Sequence, residues 1–467
     1  MSYDPLRYYW SAVFSVLWGN EGIVPIRFSI AIIQALGIFY GIRILQQEKI
    51  TIHPFMVAIL SIALAAWMSP RHKTYDAAIA IFSVFSVTVF LSNPNERWNE
   101  FRLGLAVGFA ALVGRNHGVY ALFGAILAYS TSLWHGSQEG NCRIRSINSF
   151  TMGVIVGYSP IAVWMLFYQG AFGAFVDSVL FLFTIESTNL PLPVPWPTPS
   201  RIISSFSLAE VRDLLLGIGF VWFALCCFLA PAVLFLSRWL PSLRSPMLIG
   251  SACLVLPYVH YAFSRADIGH FALGIFPIFF FTIALVQLCK PYRTLILLAL
   301  TASGLTLALP YISGWKCLAE QPCHIVEVHG DQIAVDANQY SEISVVQDAV
   351  SSFGGKENGF LVAPFMPGAY ALYSARSPMW AVYALWARGE QAELREIQRM
   401  EESKISFALL DLQDLDGRKE LNFASTNPRV LTYIEQKFAK FKIVNSHVRL
   451  YYGPKNSSAA EGMIPGD

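Results

Sequence analysis

Long apolar segments separated by short polar turns occupy the first two thirds of the chain. Crossing a hydrocarbon core of about 30 Å takes roughly 17–25 helical residues, and ten segments reach or approach that length. The predicted spans are Ile23–Leu45, Thr51–Met68, Asp76–Leu91, Leu103–Gly114, Gly118–Trp134, Phe150–Tyr168, Leu214–Ser237, Pro246–Phe263, Phe271–Leu288 and Thr294–Tyr311. Two of them, Asp76–Leu91 and Leu103–Gly114, are short enough to tilt differently or to be re-entrant. The pattern predicts a polytopic α-helical membrane domain of about ten spans over residues 1–312.

From about Ser313 the apolar density falls, and residues 313–467 have the pattern of a water-soluble domain. Predicted strands are HIVEVHG, QIAVDA, GFLVAPF, ISFALLDL and HVRLYYG, and predicted helices are SEISVVQDAVSSF, QAELREIQRMEESK and NPRVLTYIEQKF. Strands that alternate with helices indicate a small α/β domain with a mostly parallel sheet. No glycine-rich phosphate loop follows any of these strands, so this domain is not expected to be catalytic by itself.

Basic residues in the short loops predict which side of the membrane each loop faces. Every loop on one side carries a basic pair, namely Arg43 and Lys49, Arg97 and Arg102, Arg143 and Arg145, Arg238 and Arg244, and Lys290 and Arg293. That side is predicted to be cytoplasmic, which makes the C-terminal domain extracytoplasmic. With both termini outside and no signal-peptide pattern at the N-terminus, the topology also predicts a further span upstream of residue 1.

Composition agrees with a membrane protein. Hydrophobic residues make up 55% of the chain and charged residues only 14%, against about 25% charged residues in soluble domains. The net charge of +2 gives no reason to expect nucleic acid as a partner.

The cysteines divide into two groups. Cys317 and Cys323 begin the C-terminal domain, where an oxidising compartment favours a disulfide between them; two free thiols are the alternative. The other five are expected to be small buried apolar residues rather than metal ligands: Cys142, Cys226, Cys227, Cys253 and Cys289.

Three turns on the predicted extracytoplasmic side carry the candidate chemistry. They hold Arg71, His72, Lys73 and Asp76 in the first, Arg115 and His117 in the second, and Arg265, Asp267 and His270 in the third. Ionisable groups at membrane depth are costly, so they tend to be paired and functional. Guanidinium and ammonium groups suit a phosphate or diphosphate. The three turns together predict an outward-facing cavity for a polyprenyl-phosphate lipid.

Each turn also has a purely structural explanation. The first would be a solvated loop, and the second would be an Arg–His turn that caps helix ends. In the third, Arg265 and Asp267 would pair with each other, or Asp267 would cap the following helix. The argument for a binding site is therefore that all three turns share one side.

The long segment Gln169–Asp213 is apolar but interrupted, and it contains the proline-rich stretch NLPLPVPWPTPS. This pattern predicts one or two helices in the membrane interface followed by an extended strap. The strap would either cover a lipid or acceptor site or serve as a rigid connector. The aromatic stretch DPLRYYWSAVFSVLWG near the N-terminus also suits the headgroup zone.

Several stretches resemble one family of membrane enzymes. The segments PLRYYWSAVFSVLWGNEGIVPIRFSIAI, GLAVGFAALVGRNHGVYALFGAILAY and SRADIGHFALGIFPI, with FLVAPFMPGAYALYSARSPMW in the C-terminal domain, are similar to GT-C membrane glycosyltransferases of bacteria. The resemblance implies transfer of a sugar from a polyprenyl-phosphate or polyprenyl-diphosphate donor to a glycan, lipid or protein acceptor. It also implies the extracytoplasmic side of the bacterial inner (plasma) membrane as the place of the reaction.

The resemblance implies a role for each candidate residue. Arg71, Lys73, Arg115 and Arg265 would neutralise the leaving lipid phosphate, His72, His117 and His270 would donate hydrogen bonds, and Asp76 and Asp267 would contact the donor or a divalent metal ion. The family's acidic base or metal ligand lies in the first extracytoplasmic loop. That position is expected upstream of residue 1, so no catalytic residue is assigned, and neither Asp4 nor Glu21 matches it. No metal-ligand set is evident.

Two other functions fit part of the pattern. A non-catalytic relative of the same fold would bind the lipid without transferring a sugar. A lipid or solute transporter is less well supported, because the chain lacks an internal repeat at the scale of inverted-repeat transporters.

Overall fold

The computed structural model describes residues 6–47, 54–68, 73–138, 148–184, 190–198, 207–288, 292–312, 314–315, 317, 323–354, 359–444 and 446–454. The chain divides into two compact units, Tyr3–Ala319 and Glu320–Asp467.

The described secondary structure of the first unit is entirely helical, apart from turns and an extended strap at residues 190–198. Its helices are α1 Leu6–Trp18, α2 Ile23–Gln47, α3 Pro54–Trp67, α4 Thr74–Ser92, α5 Arg97–Val113, α6 Arg115–Gln138, α7 Asn148–Phe167, α8 Ala171–Thr184, α9 Leu208–Leu236, α10 Pro246–Ser264, α11 Ile268–Leu288 and α12 Arg293–Ala308. Local sequence sets several of their starts. Ser207 and Glu210 form a capping box before α9, and Ser245 caps α10 with proline in its first turn.

Seven of these helices are long and apolar enough to cross a membrane: α2, α4, α7, α9, α10, α11 and the segment Thr294–Tyr311, which includes α12. The polytopic helical class predicted from the sequence is therefore observed. The other three predicted spans fold as α3, α5 and α6, which are helical but do not meet the same length and composition.

Helix burial identifies an inner and an outer layer. The middle helices α4, α10 and α11 are buried over most of their length, whereas less than a third of α2, α7, α9 and the α12 segment is buried. Leu166, Phe167 and Phe228 are examples of fully apolar side chains left exposed on the outer layer. Exposed apolar surface of this extent is unfavourable in water. The first unit is therefore the membrane domain of an integral membrane protein.

Glycine determines the closest helix pair, α5 with α7. Gly104 and Gly108 on α5 face Gly153 and Gly157 on α7, and a Cβ atom at any of the four would meet backbone atoms of the opposite helix. Both helices therefore carry glycine at a spacing of four residues, the small-residue spacing that lets membrane helices approach at backbone distance.

Helix α1 lies against α2 and α4 through its polar residues. The hydroxyl of Ser11 is 3.0 Å from the hydroxyl of Ser29 and 3.1 Å from that of Tyr75. Trp10 donates to the carbonyl of Ser29 over 3.0 Å. The opposite side of α1 exposes apolar residues, among them Val16 and Leu17.

The predicted interfacial segment forms helix α8 and an extended strap, residues 190–198. The strap lies close to α9 because Gly217 has no side chain. A Cβ there would come within 2.5 Å of the carbonyl oxygen of Pro195. The ring of Trp196 also contacts the ring of Phe263 near the end of α10, with centroids 6.3 Å apart.

The second unit is mixed α and β. Its elements are β1 His324–Val328, β2 Asp331–Val335, α13 Ala337–Phe353, β3 Leu361–Ala363, α14 Gly368–Leu372, α15 Glu390–Glu402, β4 Phe407–Asp411, α16 Phe423–Thr426, α17 Pro428–Lys437, β5 Phe438–Ile443 and β6 Val448–Pro454. Cys317 and Cys323, which flank the division between the units in the sequence, are both disulfide-bonded.

The prediction of a mostly parallel sheet is wrong. Strands β1 and β2 form an antiparallel pair, and the four-stranded sheet has the order β3-β4-β6-β5. Within that sheet only β3 and β4 are parallel. Strand β5, which was not predicted, follows α17 directly and joins β6 through a short connection, and such a connection permits only antiparallel pairing.

Aromatic rings and buried carboxylates order the second unit. The ring of Phe360, directly before β3, and the ring of Phe407 on β4 stack with centroids 5.3 Å apart. The buried carboxylate of Glu393 accepts from the amides of Arg429 and Val430 at 2.8 and 3.2 Å, which caps the start of α17.

Candidate functional site

A buried polar network joins four helices at one end of the membrane unit. Asp76 in the first turn of α4 accepts through Oδ1 from Arg7 Nη2 on α1, at 3.0 Å, and from His117 Nε2 on α6, at 3.1 Å. The other ring nitrogen of His117, Nδ1, lies 3.0 Å from the hydroxyl of Tyr258 on α10. All four residues are at most 7% exposed.

The chemistry of the groups assigns the protons in this network. A carboxylate can only accept, so Nε2 of His117 carries a proton that it donates to Asp76. In the neutral imidazole Nδ1 then accepts from the Tyr258 hydroxyl. Arg7 also donates to the carbonyl of Val113 over 3.1 Å, at the last residue of α5. A cation at that position compensates the negative end of the helix dipole.

The two oxygens of Asp76 differ in their environment. Oδ1 accepts from both Arg7 and His117. Oδ2 is buried and has no hydrogen-bond partner among the residues that the structure describes. Buried polar atoms are nearly always paired, and each exception requires an explanation. Lys73, the residue before α4, adds a further positive charge that acts on this carboxylate.

A second cluster lies between α10 and α11. Arg265 Nε donates to Asp267 Oδ2 over 2.7 Å, and its Nη1 donates to the carbonyl of Leu190 in the strap over 2.9 Å. The amide and Nδ1 of His270 lie 2.8 and 2.9 Å from Asp267 Oδ1. Asp267 therefore pairs with Arg265 and also caps α11, so both structural explanations considered from the sequence describe real contacts.

The charge of Asp267 is strongly favoured. Burial alone would raise the pKa of its carboxyl, but the hydrogen bonds from His270 and Arg265 outweigh burial and lower the pKa from 3.8 to about 2. Because the folded-state pKa lies below the unfolded value, the ion pair contributes stability above about pH 4 and loses it as the pH falls towards about 2.

Tyrosine rings connect the two clusters. The ring of Tyr261 on α10 lies 6.1 Å from the ring of His117 and 5.6 Å from the ring of His270. Tyr120 on α6 lies 5.3 Å from Tyr258 and 6.2 Å from Tyr261, measured between centroids. The ring of Tyr261 thus contacts a histidine of each of the two clusters.

The remaining predicted residues have different positions. Arg115 at the start of α6 donates to Ser178 Oγ on α8 over 3.0 Å and lies 5.5 Å from the ring of Phe175. It therefore links the end of the bundle to α8. Arg71 and His72 lie outside the described residues.

The structure adds Arg7, Tyr258, Tyr261 and the Leu190 carbonyl, none of which the sequence analysis singled out. A usable signal existed for Arg7, which is the sole charged residue in helix α1. Tyr258 and Tyr261 are three residues apart on one face of α10, which is a second signal.

No group of three or more His, Cys, Asp or Glu side chains within the described residues could hold a metal ion. Comparison with known proteins adds no assignment, because no family model matches the chain and no curated protein is significantly similar to it.

We expect Asp267→Asn to loosen the strap. The substitution removes the anionic partner of Arg265, whose guanidinium also donates to the carbonyl of Leu190 in the strap. Hydrogen exchange of a peptide covering residues 190–198 should become faster by about tenfold, as for loss of one charged hydrogen bond. In the unmodified protein, the exchange rate of this peptide is divided by the intrinsic rate at the same pH. This ratio should stay constant from pH 7 to about pH 4 and increase only at lower pH. Equal exchange in variant and parent would contradict the prediction.

Proposed function

We propose that this protein is a membrane glycosyltransferase that takes a sugar from a polyprenyl-phosphate or polyprenyl-diphosphate donor. The acceptor is a glycan, lipid or protein on the extracytoplasmic side of a bacterial inner membrane. The C-terminal unit lies on that same side in this proposal. The cationic and imidazole groups at the helix ends support a donor that carries a phosphate, and the family resemblance of the sequence supports a sugar on that phosphate.

One observation carries the proposal: cationic and imidazole groups of separate helices converge at one end of an apolar bundle. Arg265 and His270 are only partly buried, and their shared partner Asp267 holds them in place. Arg115 is partly buried at the same end of α6 as His117. A phosphate on an apolar lipid tail has the two properties that this arrangement complements, since cations bind the phosphate and apolar helices bind the tail.

In the proposed reaction the acceptor hydroxyl attacks the anomeric carbon of the donor and the lipid phosphate leaves. Negative charge develops on that phosphate, so fixed guanidinium groups lower the barrier. Arg265 and Arg115 are the described guanidinium groups in position for this role, and His270 is the described hydrogen-bond donor beside Arg265.

A second function has an observation of its own. Asp76 and Asp267 each accept from a guanidinium and an imidazole. Such contacts stabilise the carboxylate and make it a weak base. This favours a relative of the same fold that binds the phosphate lipid and does not itself deprotonate an acceptor.

Lipid binding tests the shared part of both functions. The purified full chain is titrated with a long-chain polyprenyl phosphate and, separately, with the matching neutral polyprenol, and bound lipid is counted by native mass spectrometry. We expect Arg265→Ala and Arg115→Ala each to weaken phosphate-lipid binding by about tenfold and to leave polyprenol binding unchanged.

The control is Arg238→Ala, which removes a guanidinium packed on Trp134 and Trp239 at the opposite end of the helices. It should change phosphate-lipid binding by less than about twofold. Equal binding of phosphate lipid and polyprenol by the parent protein would refute the proposal. Binding without transfer of labelled sugar from a polyprenyl-phosphate hexose, in proteoliposomes supplied with envelope extract, would favour the second function.

A further inference from the structure

We propose that Oδ2 of Asp76 binds a hydroxyl group of the sugar in a lipid-linked sugar phosphate, while Arg265 and His270 bind its phosphate. The inference rests on the proposed phosphate-lipid site and adds a separate sugar-binding group to it. The polar residues at this end of the bundle then form two groups: a hydroxyl pole around Asp76 and a phosphate pole formed by Arg265 and His270.

The first step is the missing donor at Oδ2. Arg7 and His117 both donate to Oδ1. Oδ2 has no partner within the part of the chain that the structure describes, although Asp76 is only 5% exposed. A buried carboxylate oxygen without a donor is costly, by more than a neutral group would be. A ligand that supplies an N–H or O–H to this atom therefore gains a strong hydrogen bond.

The second step is the charge of that ligand. Arg7 and Lys73 already place positive charge around the single carboxylate, so a further cation would be repelled. The described residues offer no set of three metal-binding side chains. A neutral hydroxyl is the donor that fits both conditions, and sugars carry several of them.

The third step is the distance between the poles. The ring of Tyr261 lies 6.1 Å from the ring of His117, which binds Asp76, and 5.6 Å from the ring of His270, which binds Asp267. One tyrosine side chain thus contacts both poles. A hexose phosphate presents both kinds of group on one small molecule, with the phosphate on its anomeric carbon and hydroxyls on its other ring carbons. The face of a tyrosine ring also suits the C–H groups of a sugar, since both surfaces are apolar.

Access to Oδ2 requires movement of α1. This helix covers the carboxylate through Arg7, which also binds the carbonyl of Val113. A shift of α1 would release the contacts of Arg7 with Oδ1 of Asp76 and with the Val113 carbonyl, so binding of the sugar must offset their loss. This movement would open a position beside Oδ2, and a sugar hydroxyl would occupy it.

The test compares two probes on the full chain: a polyprenyl phosphate and the same lipid carrying a hexose on its phosphate. In the parent protein we expect the hexose-bearing lipid to bind more tightly. Asp76→Asn should reduce its binding by about tenfold and change binding of the sugar-free phosphate by less than about twofold. Asn has the shape of Asp and keeps one oxygen, so Arg7 and His117 retain an acceptor.

The matched control is Glu210→Gln, the same kind of change in the exposed capping box of α9, where glutamine also serves. It should leave both affinities unchanged. Loss of affinity for both lipids in a folded Asp76→Asn protein, or for neither, would refute the hydroxyl role. If the parent binds neither phosphate lipid better than polyprenol, the proposed function itself has failed.

A second measurement avoids any variant. Hydrogen exchange of α1 in the parent protein should change when the hexose-bearing lipid binds, because α1 must move for the sugar to reach Asp76. The sugar-free phosphate lipid should leave the exchange of α1 unchanged. Identical exchange with the two lipids would refute the proposal even if Asp76→Asn does not fold.

Discussion

Gly104→Ala and Gly153→Ala should each destabilise the helical unit by about 3 kcal/mol, the upper part of the range for overpacking. The methyl group on residue 104 would meet the backbone carbonyl of Phe150 on α7, and the one on residue 153 would meet the carbonyl of Phe101 on α5. Backbone atoms cannot rotate away as the end of a side chain can. Helix α5 and helix α7 must therefore separate over their whole contact, which also removes the close packing at Gly108 and Gly157.

The measurement is unfolding of the purified protein by SDS in mixed micelles, followed by circular dichroism. The matched control is Gly173→Ala on α8, another helical glycine, where an added Cβ has no heavy atom within 4 Å. There the substitution should stabilise the helix by up to about 1 kcal/mol, because alanine has the higher helix propensity. If all three variants unfold alike, the backbone contact between α5 and α7 is not what holds these helices together.

The helical class of the first unit could be predicted because it depends on local composition. An apolar run of span length has few alternatives to a helix when it lies in lipid. Which helices occupy the middle could not be predicted in the same way. Helices α4 and α9 are both apolar, yet most of α4 and less than a third of α9 is buried, and only the packing of the whole bundle distinguishes them. The α5–α7 contact has a sequence signal that the sequence analysis did not use, namely glycine pairs four residues apart in GLAVG and GVIVG.

The sheet of the second unit shows the limit of local patterns more clearly. Alternating segments correctly indicated β1, β2, β3, β4 and β6. Strand direction depends on partners distant in sequence, so the single parallel pair and the antiparallel pairs could not be derived from alternation alone. Strand β5 (FAKFKI) was missed because it continues directly from the charged end of α17 and is largely exposed.

The site was predictable as a set of residue types but not as a network. Asp76, His117, Asp267 and His270 do converge on one end of the bundle, which the shared-side argument required. Their partners come from distant parts of the chain: Arg7 is 69 residues from Asp76, and His117 is 141 residues from Tyr258. No spacing rule connects residues so far apart, so the two histidine–aspartate pairs and the ring that contacts both histidines became apparent only in three dimensions.

Glu396→Ala should strongly destabilise the second unit, more than any other substitution that we predict there. This carboxylate is 4% exposed and accepts from four donors. They are the amides of Trp380 and Ala381, at 2.7 and 3.4 Å, and the guanidinium groups of Arg388 and Arg399, at 3.2 and 3.3 Å. Removing it leaves two cations without their shared anion and two amides without their acceptor. Breaking a buried ion pair on one side costs about 3–5 kcal/mol.

The effect should be concentrated in the loop that Glu396 holds against α15. Hydrogen exchange at Trp380 and Ala381 in the full chain should accelerate by about a hundredfold or more, the factor that 3 kcal/mol produces. Glu402→Ala is the matched control on the same helix, because Glu402 is exposed and its recorded bond is to Gln398, four residues away. It should change exchange by less than about twofold. Equal exchange in the two variants would mean that the loop is fixed by its apolar packing around Met379 and Ala384, and that the four bonds to Glu396 contribute little.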